Sequence, residues 1–390
     1  MSTGKINIGG DRVIWFVVIV LSILSLLVVY SSTGTLAYKN QGGNVSYYIL
    51  RHAAILLGSF VLMYFFHIIN PKFYPRFFQI LYFISVILLA ITMKFGLNIN
   101  GARRALPLPL NLSFQTFEFA KYVLVGYLAR VLYKNQDGFS SFKEAFKKLF
   151  LPLLLVCALM FKSNLSTTLL VFVSGFVMMF AAKVNWKYLL SFILIGVAIF
   201  ATYILVLSLM PKEKQGRLAT WKARFERHNK QAENIYELSQ ADQSKIAIAT
   251  GGVFGKLPGN STQRNFLPNP FSDFIYAIIV EEYGLVGGII VLLLYLIFLY
   301  RSLKIALNAY NKFAAYYAVG LSFVLVFQAL ISMGVAVDIG PTTGQSLPMV
   351  SMGGTSVAIT AVSIGILLSL SKNREDTTET IQINDNENGK

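Results

Sequence analysis

Apolar runs long enough to cross a membrane recur along almost the whole of this 390-residue sequence. A transmembrane helix needs about 20 predominantly apolar residues. Runs of that kind lie near 13–32, 48–66, 77–94, 114–133, 188–210, 272–300, 313–337 and 353–371. Charged residues make up only 13% of the chain, whereas about 25% is usual in soluble proteins. The sequence therefore predicts an all-α, polytopic membrane protein.

The stretch 149–182 fits either one long helix or a tight hairpin, and the charges around it favour the hairpin. Basic residues flank it on both sides: Lys143, Lys147, Lys148, Lys183 and Lys187. Because Lys and Arg collect in cytoplasmic loops, both clusters are expected on the same side of the membrane. We therefore predict a break at 162–164 and about ten transmembrane helices, with both termini in the cytoplasm.

The distribution of basic residues also orients the chain. With this topology, short cytoplasmic segments hold fifteen Lys and Arg residues and short outer loops hold five. Residues 1–371 then form one ten-helix domain, and a long loop at about 211–271, between helices 7 and 8, lies outside. Residues 372–390 are polar and are predicted to be a disordered cytoplasmic tail. The net charge of +16 thus reports topology rather than a nucleic-acid partner.

Three carboxylates fall in the segment GNSTQRNFLPNPFSDFIYAIIVEEYG, residues 259–284. Asp273 stands at the mouth of an apolar helix, where it either caps the helix or serves chemistry. Glu281 and Glu282 lie about 12 Å further along the helix. A GxxxG pattern that starts at Gly284 favours a packing role for this part of the helix.

Two charges, Glu118 and Lys121, lie within the fourth apolar run, and their spacing of three places them on one helix face. Charged groups inside a membrane are costly and are hypotheses of function by default. Two interpretations stay open. The pair either holds helices together, or it presents a lysine to an anionic group such as a pyrophosphate.

Three outer segments are irregular or polar. GPTTGQSLPMVSMGG (340–354) is rich in Gly and Pro and is predicted to be a non-helical, re-entrant segment that lines a cavity. The long outer loop is basic and amphipathic, which fits either a surface helix on lipid headgroups or a lid over an anionic substrate. GGVFGKL (251–257) lacks the spacing of a phosphate-binding loop.

Four segments together resemble the bacterial SEDS family (shape, elongation, division, sporulation), to which FtsW and RodA belong. They are NGARRALPLPLNLSFQTFEFAK (100–121), KSNLSTTLLVF (162–172), the stretch 243–284 and GPTTGQSLPMVSMGGTS (340–356). The resemblance covers nearly the whole chain except the tail. It implies a GT-C-like SEDS fold and an inverting peptidoglycan glycosyltransferase that polymerises lipid II. It also implies a class B penicillin-binding transpeptidase and other divisome membrane proteins as partners.

The resemblance also implies site residues. The essential family Asp falls on Asp273 as catalytic base, and the motif arginine falls on Arg104. Further substrate-binding positions are expected at Glu118, Lys121, Arg217, Gln243, Ser261, Gln263, Thr343 and Ser351. The sequence departs from the family pattern at Ala105, at Asn164 and at Asn269, which places the last two in doubt as functional positions. The wording Gly-Asn-Ser-x-Gln at 259–263 is closer to the FtsW branch than to RodA.

The mechanism implied is a single displacement. Asp273 takes the proton of an acceptor sugar hydroxyl, and Arg104, Lys121 and Arg217 are candidate clamps for the departing undecaprenyl pyrophosphate. The resemblance implies no definite cofactor; a divalent cation, Mg²⁺ or Mn²⁺, is a candidate to assist the reaction. Competing interpretations are a lipid II flippase, a RodA-type elongation polymerase and a noncatalytic scaffold for the transpeptidase.

The topology is testable by labelling. In a Cys157→Ala background, a single cysteine at Thr220 is expected to react with an impermeant reagent added outside the cell. A single cysteine at Ser141 is expected to react only from the inside. Labelling of position 220 only after permeabilisation of the membrane would reverse the topology.

Overall fold

Helices follow the predicted apolar runs. The computed structural model describes residues 9–99, 102–108, 112–161, 163–208, 240–267, 269–341 and 343–388. In chain order the helices are α1 (Arg12–Ser32), α2 (Gly34–Gln41), α3 (Val45–Ile68), α4 (Tyr74–Phe95), α5 (Thr116–Lys134), α6 (Phe142–Ala145), α7 (Leu151–Phe161), α8 (Leu165–Ala181), α9 (Trp186–Ser208), α10 (Gln240–Gly251), α11 (Ile275–Leu307), α12 (Lys312–Ala336) and α13 (Gly354–Asn388). A π-helical turn, Phe146–Phe150, joins α6 to α7. Ten of these helices correspond to the ten predicted spans: α1, α3, α4, α5, α7, α8, α9, α11, α12 and α13.

Six of the helices in the described ranges are long and apolar enough to cross a membrane on length and composition alone. The predicted hairpin is also present. The chain turns between α7 and α8, and the Asn164 side chain caps α8 by accepting a hydrogen bond from the Thr167 N–H at 3.3 Å. α8 has only 17 residues, as expected for a short hairpin arm. The fold class predicted from the sequence is confirmed.

A small antiparallel sheet departs from a purely helical fold. Its strands are β1 (Leu97–Ile99), β2 (Ala102–Leu108) and β3 (Leu112–Phe114), in the order β1-β2-β3. The sheet occupies the loop between α4 and α5, where the predicted topology places the outer face. Pairing within the loop satisfies its backbone N–H and C=O groups. Apolar periodicity gave no sign of strands this short.

Two polar contacts between α1 and α11 set the depth of the carboxylates. At one end, Arg301 Nε donates to Asp11 Oδ2 at 2.9 Å; at the other, the Ser31 hydroxyl donates to Glu282. α1 has 21 residues, about 31 Å of helix, which equals the usual hydrocarbon thickness of about 30 Å. Glu282 and the Asp11–Arg301 pair are therefore separated by about one hydrocarbon thickness, which in the predicted topology puts Glu282 toward the outer boundary.

α11 is interrupted at Gly284, whose φ of 71° and ψ of −174° are not helical. The loop that follows α10 supplies the missing hydrogen-bond partners. The Leu285 N–H donates to Gly252 O at 2.9 Å, and the Val286 N–H donates to Val253 O at 3.3 Å. Gly284 therefore makes a kink at which another segment packs closely against α11.

The last helix is longer than its apolar run. α13 continues as helical backbone through Asn388, where the sequence predicted a disordered tail from residue 372. The apolar part, Gly354–Lys372, is the portion that qualifies as a membrane span. The helical backbone beyond it is polar and acidic in sequence.

Replacement of Gly284 by Ala is expected to destabilise the fold. A Cβ at this position would lie 2.1 Å from Val253 O, and the positive φ strains any L residue. Backbone strain of this type costs about 1–3 kcal/mol. Gly58→Ala is the matched control, because Gly58 lies in helix α3 with nothing within 4 Å of the added carbon. Thermal unfolding in detergent should show a lower Tm for Gly284→Ala only. Equal Tm values would contradict the assigned role of the kink.

Candidate functional site

The non-helical segment predicted at 340–354 lies between α12 and α13, and it is held by side chains from several helices. We call residues 340–353 the return loop. The Gln345 amide donates to Thr167 Oγ1 on α8 at 2.7 Å. The Gln328 amide on α12 donates to Ser346 O at 2.9 Å. Irregular backbone is tolerated at membrane depth only when protein groups satisfy it in this way.

Two further helices reach the other half of the return loop. The Ser25 hydroxyl on α1 donates to Val350 O at 2.7 Å, and the Tyr295 hydroxyl on α11 donates to Pro348 O at 2.5 Å. Tyr295 is fully buried. Side chains of α8 and α12 thus hold the first half of the return loop, and side chains of α1 and α11 hold the second half.

The return loop is joined directly to the segment that carries Asp273. The buried Ser351 hydroxyl donates to Ser272 O at 2.7 Å and accepts from the Leu347 N–H at 2.8 Å. The Met352 N–H donates to Phe271 O at 2.9 Å. Ser351 was predicted to bind substrate, and in the structure it positions the residue before Asp273.

Asp273 is half-buried at the outer end of α11. The helix begins at Ile275 and its N-cap residue is Phe274, so Asp273 is not the cap that the sequence offered as one interpretation. The Ser272 hydroxyl donates to Asp273 Oδ1 at 3.0 Å. A Cβ on Gly344, whose φ is 65°, would lie 3.5 Å from Asp273 Oδ2. The carboxylate therefore faces the glycine of the return loop.

Glu118 and Lys121 form an ion pair of 2.6 Å between Oε2 and Nζ. Lys121 is fully buried, and its ammonium also donates to Gln328 Oε1 at 2.5 Å. The predicted pair thus exists, but in this structure both of its charges are satisfied by protein. Gln328 connects the pair to Ser346 O of the return loop. Sequence analysis missed Gln328, and a polar amide inside an apolar run was the available signal.

A small cavity adjoins this network. Its free volume is about 10 Å³, about enough for one water molecule. Its lining is mostly polar and comes from α5, α12, the return loop and α13: Glu118, Gln328, Ser346, Leu347, Pro348, Met349, Ser351, Ser356, Val357 and Thr360. Ser351 links the cavity to the Asp273 segment, but a disaccharide does not fit inside it.

Arg104 lies on β2 and is partly exposed. Its Nε donates to Ser163 O at 3.2 Å, and the Ser163 hydroxyl donates back to Arg103 O at 2.9 Å. These bonds attach the sheet to the turn between α7 and α8. Asn164, which lacks the carboxylate of the family pattern, keeps a structural role because its side chain still caps α8.

Ser261 and Gln263 bind the buried Glu281 carboxylate. The Ser261 hydroxyl donates to Oε2 at 2.5 Å, and the Gln263 N–H reaches the same oxygen at 3.3 Å. Lys256 Nζ donates to Oε1 at 2.7 Å, and the Thr262 N–H does so at 3.0 Å. The Ser261 hydroxyl is therefore occupied within the protein, and Gln263 contributes its backbone N–H, so that Glu281 organises the loop before Asp273.

The remaining predicted residues are dispersed. Gln243 lies on α10, and its Oε1 is buried without a hydrogen-bond partner within the described ranges; the same holds for Thr343 Oγ1 on the return loop. Asn269 is half-buried in the segment before α11. Arg217 lies outside the described residues.

α10 is fixed against the outer end of α12. The Ser244 hydroxyl donates to Ala336 O at 2.6 Å, and Lys245 pairs with Asp338 at 2.9 Å and with Asp242 at 3.0 Å. Hydrogen bonds to Asp338 and Asp242 raise the pKa of the Lys245 ammonium above its ordinary value. α10 therefore keeps a defined position beside the helices that carry the site.

Curated relatives align with almost the whole chain. It is 31% identical to the probable peptidoglycan glycosyltransferase FtsW of Haemophilus influenzae over 92% of this chain and 90% of that one. It is 32% identical to the peptidoglycan glycosyltransferase MrdB of Escherichia coli over 93% and 95%. It is 29% identical to the stage V sporulation protein E of Bacillus subtilis over 95% and 99%.

Solved structures share the fold. RodA of Thermus thermophilus superposes with a TM-score of 0.67 at 24% identity, over 94% of this chain and 97% of that one. A chain from a peptidoglycan synthase complex gives 0.70 at 23% identity, over 94% and 98%. The profile of the cell cycle protein family of FtsW, RodA and SpoVE matches residues 11–376. Because this profile matches nearly the whole chain, the chain belongs to this family, the SEDS family.

Proposed function

We propose that this protein is a peptidoglycan glycosyltransferase that polymerises lipid II at the outer face of the bacterial cytoplasmic membrane. One observation carries the proposal. In a chain of this family, the Asp273 carboxylate is held half-buried at the predicted outer end of α11, opposite Gly344 of a return loop that four helices hold by hydrogen bonds. A carboxylate that is positioned in this way is suited to act as a general base.

The reaction is a single displacement. Asp273 accepts the proton of the 4-hydroxyl of the acceptor sugar, and the oxygen attacks the anomeric carbon of the donor. The bond from that carbon to undecaprenyl pyrophosphate breaks, and the pyrophosphate leaves with the electron pair. An α-linked donor gives a β-linked product. Ser272, which donates to Asp273 Oδ1 at 3.0 Å, orients the carboxylate for the transfer.

Positive charge near the leaving pyrophosphate lowers the barrier, because negative charge develops there. Arg104 is a suitable clamp, since it is partly exposed on β2. Lys121 is fully buried between Glu118 and Gln328, so it acts on the substrate only if this pair opens. Arg217, which lies outside the described residues, is proposed as a further pyrophosphate clamp from the sequence alone.

The divalent cation in this proposal is one that binds together with the substrate. In the part of the chain that the structure describes, no group of three His, Cys, Asp or Glu side chains is placed to hold a metal ion. Mg²⁺ typically binds one or two carboxylates together with substrate phosphates, and Asp273 with the pyrophosphate would supply such ligands.

A septal role with a class B penicillin-binding transpeptidase is the specific form of the proposal. Identity to the curated relatives does not separate division from elongation, since FtsW and MrdB match at 31% and 32%. The sequence Gly-Asn-Ser-Thr-Gln at residues 259–263 favours the FtsW branch. The structural neighbour from a peptidoglycan synthase complex supports a partner. Both termini are proposed to lie in the cytoplasm.

Asp273→Asn is expected to abolish polymerisation of purified lipid II, measured with and without the cognate transpeptidase. The variant keeps the size of the side chain but cannot accept the proton, and loss of a general base costs about 10²–10⁴-fold in rate. Thermal stability should stay close to that of the wild type, because α11 is not capped by this side chain.

Asp338→Asn is the matched control for this experiment. Asp338 lies at the outer end of α12 with a φ of 64°, which Asn tolerates well. The change removes the charge that pairs with Lys245, whose side chain is 49% exposed, and surface pairs of this kind are worth about 1 kcal/mol or less. If Asp273→Asn retains more than about a tenth of the wild-type rate, the base lies elsewhere.

A double variant separates a structural role of the buried Glu118–Lys121 pair from a role of Lys121 in substrate binding. Lys121→Met alone leaves Glu118 uncompensated, which costs about 3–5 kcal/mol, so loss of activity alone would be ambiguous. Glu118→Gln together with Lys121→Met should recover much of the Tm. If Lys121 binds pyrophosphate, lipid II turnover stays low in the double variant. Recovery of both stability and turnover would assign the pair a structural role only.

A further inference from the structure

The loop that follows α10 exposes three large apolar side chains. We call Gly252–Leu257 the tip. Phe254 is 82% exposed, Leu257 is 67% exposed and Val253 is 56% exposed. An apolar surface of this kind marks an interaction site when it lies in water. The predicted topology assigns the tip to the outer loop.

The depth of the tip does not fit an aqueous location. Its backbone contacts Leu285 and Val286 of α11, which lie about 15 residues above Arg301, or roughly 23 Å. Arg301 pairs with Asp11 at the inner end of α1. Since the hydrocarbon core is about 30 Å thick, Gly252 and Val253 lie roughly one helical turn below the predicted outer boundary, and Lys256 pairs with Glu281 close to that boundary.

Several backbone groups of the tip are paired within the protein. The carbonyls of Gly252 and Val253 accept from α11, as described above. The Gly255 N–H donates to Gly251 O at 2.8 Å, and the Lys256 N–H donates to Glu281 O at 2.9 Å. Internal pairing of this kind is required of irregular backbone inside a bilayer, whereas water would satisfy an exposed loop.

The charge of the tip is turned away from its apolar surface. Lys256 is the one charged residue of this segment in the sequence, and its ammonium lies 2.7 Å from Glu281 Oε1. The neighbouring surface of α11 is also apolar and exposed, at Leu285, Val286 and Ile289. The tip and α11 thus form one continuous apolar wall.

We propose that the tip is re-entrant and that Val253, Phe254 and Leu257 are embedded among the acyl chains of the outer leaflet. The partner of this surface is therefore lipid. The tip anchors the loop that runs through Ser261 toward Asp273, and the kink at Gly284 is the feature of α11 that receives it.

Spin labelling tests the location in the intact chain. Single cysteines replace Phe254, Ile289 and Asp137 in a Cys157→Ala background, and each carries a nitroxide. Ile289 is the reference on the apolar wall, and Asp137 is an exposed charged position in the turn between α5 and α6. The proteins are reconstituted into phosphatidylcholine–phosphatidylglycerol liposomes. Power saturation then compares collisions with O₂, which concentrates in acyl chains, and with a water-soluble nickel chelate.

The label at position 254 is expected to resemble that at position 289, with a ratio of oxygen to nickel accessibility several-fold above that at position 137. A ratio equal to that at position 137 would place the tip in water and overturn the proposal. Shielding from both reagents would show that protein covers the tip, in this chain or in a second copy, and would overturn it as well. Neither result depends on catalytic activity.

Discussion

Backbone that is not helical inside a membrane protein must find hydrogen-bond partners in the protein, and this requirement shapes the outer half of the molecule. An unsatisfied backbone group in hydrocarbon costs several kcal/mol. The return loop meets the requirement through Ser25, Gln328 and Tyr295. The tip meets it through the kink at Gly284. Both segments are thereby attached to neighbouring helices by hydrogen bonds.

The same bonds position the candidate base. Ser351 attaches the return loop to Ser272, and the next residue is Asp273. A displacement of the loop would therefore move the carboxylate. A site on a loop is as well ordered as the elements that hold it, and here α1, α5, α8, α11 and α12 contribute through direct hydrogen bonds or through the Lys121 network.

Two of the buried charges are each matched by an opposite charge and by further hydrogen bonds. Glu281 binds Lys256, Ser261 and Thr262, and Lys121 binds Glu118 and Gln328. Removal of one partner from such a pair costs about 3–5 kcal/mol. These residues therefore combine stability with placement of the site, and only a double variant separates the two contributions.

The sequence by itself determined the ten helical runs, the hairpin at 162–164, the irregular return loop and the family, and it gave Asp273 as the candidate base. These features depend on local composition, on charge and on motifs, all of which are visible along the chain. Only the tertiary structure decided that Ser261 and Gln263 bind Glu281, that Gly284 makes a kink and that GGVFGKL fills it. It also revealed Gln328 as the link between Lys121 and the return loop. Those contacts join residues that are distant in sequence, and a side chain's spacing cannot specify which buried partner it will meet when helices pack.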